Sequence, residues 1–332
     1  MEGGLGVLLR RLYNKGMRIC SLLPSSTEII FALGLEETLV GVTHECDYPP
    51  QARDKPVVVN SILEGKGKLS SARIDELVSS SRSEGKSVYL IDSELLKEMK
   101  PDLIVTQGLC DVCAVSENEV TDACEILENS PEILSLDPTT VGEIMDSILV
   151  LGEITRTRSK ASQLVENLRK RVETVEKKLS GERYRPGVFC LEWLDPPYAA
   201  GHWVPEMVMT AGGEPLISRV GEPSFKTSWN EILEANPDYM IIMPCGFDIE
   251  KTLDGIEEVT GRVRQWHVLR SVRKGHCYVV DANSYFSRSS PRVVDGIELL
   301  AGVIHPDIFT QRPKDNSVLN LKNHFYLQTF LG

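Results

Sequence analysis

Two hydrophobic rhythms run along this chain. Short apolar runs with strand-like length lie at 18–23, 39–43, 87–92, 102–107 and 132–137, and again within 185–194, 237–247 and 274–281. Between them, apolar positions recur every three or four residues, predicting helices over 28–34, 70–83, 93–100, 202–211, 228–235, 256–260 and 293–303. Ser26 or Thr27 is expected to cap the first of these helices. Strands separated by helices imply a largely parallel sheet covered on both faces.

The longest helical pattern runs from Thr140 to Lys178 through Val141, Ile144, Ile148, Leu151, Ile154, Leu164, Leu168, Val172 and Val175, with no proline inside it. One helix of that length would extend roughly 60 Å, too far for an ordinary crossover, and is expected to serve as a strut. The run after Pro101-Asp102 is echoed after Pro237-Asp238, each strand emptying into a loop with a cysteine. The expected organisation is an α/β lobe over 18–139, a bridging helix over 140–180, a second α/β lobe over 185–310 and a tail over 311–332. A ligand cleft is expected between the lobes.

With 332 residues, 42% of them hydrophobic, the chain can build two ordinary cores. Its 36 basic and 48 acidic residues give a net charge of -12, which opposes non-specific nucleic-acid binding. No stretch approaches the roughly 20 apolar residues of a membrane span, so stable membrane insertion is not expected. The opening MEGGLGVLLRRLYNKG lacks the order of a secretory signal, which predicts a cytoplasmic protein. A reducing compartment in turn favours thiolate chemistry over disulfides.

Loops after parallel strands converge on one edge, where ligands bind. Those loops carry His44, Glu45 and Cys46; Cys110 and Cys113; Glu192 and Trp193; Cys245 and Phe247; and Tyr285 and Phe286. Soft thiolates attract zinc or iron–sulfur centres, so Cys46, Cys110, Cys113 and Cys245 are the candidate metal ligands. Thiol–disulfide exchange and inert free thiols are the other readings of Cys110 and Cys113. Tyr48, Trp193, Trp203, Phe247, Tyr285 and Phe286 are candidate walls for a large planar ligand such as a corrinoid, and each also suits a core. Glu45, His44, Glu192 and His202 are the candidates for proton handling, should there be catalysis. Cys20 and Cys190, set inside strands, read as small hydrophobes. No GxxxxGK[ST] loop or GxSxG elbow is present.

The segments ICSLLPSSTEIIFALGL (19–35), GVTHECDYPP (41–50), KPDLIVTQG (100–108), EPSFKTSWNEILEANPDYMII (222–242) and SYFSRSSPRVVDGIELLAGVIHP (284–306) follow one another as in a known family. The chain resembles the helical-backbone (class III) periplasmic-type binding proteins, nearest the cobalamin-binding branch. The resemblance implies two α/β lobes joined by a long helix. It also implies ligand contacts from the loops holding Tyr48, following Gln107 and matching Ser284–Phe286. Leu109–Cys113 replaces the aromatic residue expected of a corrinoid receptor, and His44 to Cys46 add donors. The leading expectation is therefore a cytosolic binding protein for a metal ion, an iron–sulfur cluster or a corrinoid-type cofactor. A metal-dependent enzyme on the same fold, with redox or Lewis-acid chemistry, is the alternative, and an adaptor with inert cysteines the third. The protein partner is not specified.

Overall fold

Strand-forming runs of β-branched and aliphatic residues build two sheets in the computed structural model, which describes residues 16–84, 86–108, 117–124, 127, 129–263, 265–311 and 317–322. The chain divides into two compact units. Of the described residues, the first comprises those up to Gly67 together with Val78–Asp137 and Ser147–Ser162, and the second comprises Lys68–Leu77, Pro138–Asp146 and those from Gln163 onward.

In the first unit, β1 (Ile19–Ser21), β2 (Leu39–Thr43), β3 (Val57–Ser61), β4 (Tyr89–Ile91), β5 (Leu103–Thr106) and β6 (Glu132–Ser135) form one sheet. Its order is β4-β3-β2-β1-β5-β6, parallel throughout except for the antiparallel β3–β4 pair. The chain moves outward from β1 to β4 and then returns to the other flank of β1. The order of strand addition therefore reverses between the parallel strands β1 and β5, the position at which α/β sheets bind ligands. Ile19, Cys20, Ile104 and Val105 are fully buried, as strands covered on both faces require.

Helix α1 (Pro24–Ala32) starts earlier than the hydrophobic spacing predicts, and neither Ser26 nor Thr27 caps it. Pro24 opens it instead, because proline already has helical φ and lacks the N–H that would go unpaired. The Ser26 hydroxyl turns back to the Leu23 carbonyl, 3.1 Å away. Helices α2 (Ser71–Ser83), α3 (Ser93–Met99) and α4 (Glu117–Cys124) follow.

The expected uninterrupted helix over 140–178 is two helices, α5 (Val141–Ile154) and α6 (Arg158–Leu179). Arg156 between them takes a left-handed conformation, φ 61°. The Thr157 N–H closes the end of α5 on the Gly152 carbonyl at 2.7 Å. Small residues let the two helices meet: a Cβ at Gly152 would overlap that of Ala161. The apolar period survives the break, since Ile148, Leu151, Ala161 and Val165 are all buried.

The second sheet contains β7 (Gly187–Trp193), β8 (Tyr198–Ala199), β9 (Glu214–Pro215), β10 (Phe225–Lys226), β11 (Tyr239–Ile242), β12 (Cys277–Val280) and β13 (Val318–Asn320). Its order is β10-β8-β7-β11-β12-β13, with β9 also on β7. The central strands β7, β11 and β12 are parallel, whereas β8, β10 and β13 pair antiparallel. The order of strand addition reverses between β7 and β11, giving this unit its own switch point. Helices α7 (Val204–Thr210), α8 (Trp229–Ala235), α9 (Ile249–Arg262), α10 (Arg270–Lys274), α11 (Ala282–Tyr285) and α12 (Val293–Ile304) complete it. Part of the expected tail closes the sheet as β13, with Val318 opposite Val280. Phe189, Leu191, Met240, Ile242 and Val279 form its buried centre, together with Ile232 and Ile256. Among the described residues, no helix is long and apolar enough to cross a membrane.

Candidate functional site

At the carboxyl edge of the first sheet, β2 ends in Thr43 and the loop turns Cys46 inward while Glu45 stays exposed. The thiol of Cys46 is buried, with Sγ 3.1 Å from Thr27 Oγ1 and 3.4 Å from Thr43 Oγ1. Thr27 donates onward to Ser21 Oγ at 2.7 Å, and Ser21 Oγ lies 2.5 Å from Ser26 Oγ. These five side chains form a hydroxyl–thiol chain that stitches α1 to the end of β2. His44 Nδ1 lies 3.2 Å from the Val59 carbonyl, and its Nε2 is 4.0 Å from Glu45 Oε1. Tyr48 stands 45% exposed on the same loop. Cys110 and Cys113 lie outside the described residues.

The second unit gathers more. Glu192 and Trp193 end β7, and the β11 exit folds back over them, with the Cys245 N–H donating to the Glu192 carbonyl at 3.0 Å. Trp193 and Phe247 thereby meet edge to face, with centroids 5.2 Å apart at 67°. Such a pair contributes about 1 kcal/mol beyond its buried area. The Trp193 indole N–H also donates to the Ser71 carbonyl at 3.3 Å. Loops after adjacent strands are tied together: Asn283 N–H donates to the Phe247 carbonyl and Gly246 N–H to Ser287 Oγ, each at 3.0 Å. Tyr285 is half-buried, and the Arg292 guanidinium lies 5.9 Å from its ring centre. Cys245 is half-buried and free.

Trp203 and Phe286 are almost fully buried, and the indole of Trp203 donates to the Phe286 carbonyl at 2.9 Å. The Trp203 side chain therefore ties the start of α7 to the backbone beyond β12. His202 sits in a tight reversal with φ 52°. Its N–H donates to the Glu222 carbonyl at 2.6 Å, and its carbonyl accepts from Gly221 N–H at 3.0 Å. Residue 201 must be glycine, because a Cβ there would strike the backbone of Pro223 and Ser224. Gly201 N–H reaches Glu192 Oε2 at 3.2 Å, so Glu192 and His202 belong to one corner. Burial holds the His202 imidazole below its ordinary value of 6.5. Its Nδ1 is buried with no hydrogen-bond partner among the described residues, and a protonated ring would leave an N–H there unpaired. The ring is therefore neutral at pH 7.

Burial raises the thiols of Cys20, Cys190 and Cys277, as expected of cysteines serving as small hydrophobes. Among the described residues, no three His, Cys, Asp or Glu side chains converge to hold a metal ion. A separate cavity of about 500 Å³ in the second unit is lined by Arg171, Lys178, Asp295, Glu298, Phe309 and Tyr285 among others. Arg171 there donates to Asp295 at 2.8 Å and to both Glu298 oxygens at 2.9 and 2.7 Å, pairing α6 with α12.

Comparison with known proteins gives a consistent answer. Residues 19–284 match the family model described as periplasmic binding protein. The uncharacterized ABC transporter substrate-binding lipoprotein YvrC of Bacillus subtilis is 25% identical over 307 residues, covering 89% of this chain and 82% of that one. The vitamin B12-binding protein of Vibrio cholerae is 23% identical over 286 residues, 85% of this chain and 86% of its own. Among solved structures, a periplasmic binding protein from Veillonella parvula superimposes with a TM-score of 0.66 at 21% identity, covering 89% of this chain and 93% of that one. Staphylococcus aureus IsdE complexed with heme gives a TM-score of 0.67 at 16% identity, over 88% of this chain and 100% of that one. These structural likenesses establish the fold. The expected cytosolic placement is overturned by the family match and by such relatives, which indicate an exported protein of the periplasmic type. The short apolar stretch at 7–9 carries too little signal to decide location against a match over most of the chain.

Proposed function

Because the chain belongs to the periplasmic binding protein family, we propose that it is a substrate-binding protein for a flat, metal-bearing macrocycle of the corrinoid or haem class. Vitamin B12-binding proteins of several bacteria and a haem-complexed structure stand among its relatives, which favours that ligand class. The single observation that carries the reading is the half-buried Trp193 at the switch point of the second sheet, backed edge to face by the buried Phe247 ring. Aromatic rings offer rigid apolar area to a planar ligand at small entropic cost.

A bare zinc ion or iron–sulfur cluster on thiolates has weaker support. Cys46 is enclosed by hydroxyls, and a soft metal prefers several sulfur or imidazole donors. In a macrocycle the metal brings its own equatorial nitrogens, so the protein needs walls more than donors.

Titrating the full chain with cyanocobalamin and with haemin, read by visible absorption and tryptophan quenching, tests this. Saturable 1:1 binding of either is expected, with Trp193→Ala weakening it about tenfold or more, as loss of a stacked aromatic anchor does. Absence of saturable binding by both ligands overturns the proposal.

A further inference from the structure

Between β3 and β4 the chain makes an excursion away from the first sheet. The bracketing strands are paired, with Ser61 opposite Tyr89, so both ends of the excursion are fixed. The turn after β3 contains Gly65 and Gly67, with φ 74° and 72°, a left-handed region that glycine enters without strain. A Cβ at either would meet no atom within 4 Å, so backbone conformation, not crowding, selects glycine there. Residues 64–68 are exposed throughout. Lys68–Leu77 then belong to the second unit, where Ser70 Oγ accepts the Arg73 N–H at 3.3 Å at the start of α2.

Two polar contacts hold this stretch on the second unit. The Ser71 carbonyl takes the Trp193 indole N–H at 3.3 Å, and Lys68 forms an ion pair with Asp254 on α9. Apolar packing adds little: within 68–77 only Ser71 is buried, while Leu69, Ala72, Ile74 and Leu77 are half-buried. A segment with so few buried apolar side chains opens at low free-energy cost. The Lys68–Asp254 pair, 74% and 43% exposed, is a weak clasp, because solvent screens it. We propose that residues 64–77 form a flap that turns on Gly65 and Gly67, and that its docked position covers the N–H edge of Trp193 and restrains ligand access to that ring. A macrocycle stacking on the indole displaces the flap, so its apparent affinity is the intrinsic one scaled by the open fraction. This assignment rests on the macrocycle reading above and adds control of access to its aromatic wall.

Lys68→Gln and Asp254→Asn, made in the full chain, each break the clasp while moving the net charge in opposite directions. Acrylamide, a neutral quencher, reads the cover over Trp193 with no ligand present. Both variants should raise the tryptophan quenching constant above that of the native chain, and the rise should vanish when Trp193→Phe is added to each. Stopped-flow mixing with whichever of cyanocobalamin and haemin binds should give association rates raised about two- to fivefold in both variants, the scale of an exposed ion pair, with dissociation rates unchanged. Long-range charge steering would instead move the two variants in opposite directions. Unchanged quenching in both variants, a rise that persists without Trp193, or association that does not quicken in both overturns the flap and leaves the macrocycle reading intact. If neither macrocycle binds, that reading falls and the quenching result alone decides the flap.

Discussion

His202 concentrates several costs in one residue: a left-handed backbone, a half-buried ring and a ring nitrogen with no partner. Non-glycine residues occupy such conformations rarely, and asparagine is among those that tolerate them. In the unfolded chain this imidazole takes its proton near 6.5, whereas burial delays protonation in the fold to lower pH. Between those two values the unfolded state binds more protons, so stability is complete above 6.5 and is lost as pH falls through the folded value. His202→Asn preserves the turn and removes the titration. Urea midpoints measured at descending pH below neutrality should therefore fall less steeply in the variant than in the native chain, and identical slopes would show that His202 contributes nothing. The place of Lys251 after an aspartate N-cap is visible in DIEK at 248–251, but the Phe247 ring it covers is not.

The junction of α5 and α6 illustrates how an element can be misjudged while its pattern is right. The apolar period runs unbroken across 140–178, and neither glycine nor proline occupies 155–157. Arg156 nevertheless reverses the chain, because Gly152 and Ala161 let the helices approach more closely than larger residues would. A methyl group at 152 must push Ala161 aside. Gly152→Ala is expected to lower unfolding free energy by about 1–3 kcal/mol, the usual cost of overpacking, despite alanine's higher helix propensity. Urea denaturation followed by circular dichroism checks the direction. A neutral or stabilising result would mean that the crossing relaxes freely.

At the scale of the whole molecule, binding and stability are linked. A ligand present at a hundred times its dissociation constant stabilises the native state by about 2.7 kcal/mol. Thermal melting with and without saturating haemin or cyanocobalamin should therefore rise for whichever macrocycle binds. At the same ligand concentration Trp193→Ala should rise less. An unchanged midpoint with both ligands would count against the proposed function, as failed titration would. The net charge of -12 belongs to this scale too: it disfavours anionic surfaces in general.

Much of the architecture was written locally. Apolar runs and helical periods are properties of neighbouring residues, and they determined two α/β sheets, most helix positions and the strand exits at Cys46, Trp193, Cys245 and Tyr285. Family segments in order reinforced the same fold. Tertiary structure alone decided which exits meet. Trp193 touches Phe247 because β7 and β11 are adjacent in the sheet, although β8, β9 and β10 intervene in sequence. It also decided that Cys46 faces hydroxyls from α1 and β2 and that the Trp203 indole reaches the Phe286 carbonyl in the interior. Periodicity fixes which face of an element is apolar, whereas strand order and close packing select the neighbour that face receives.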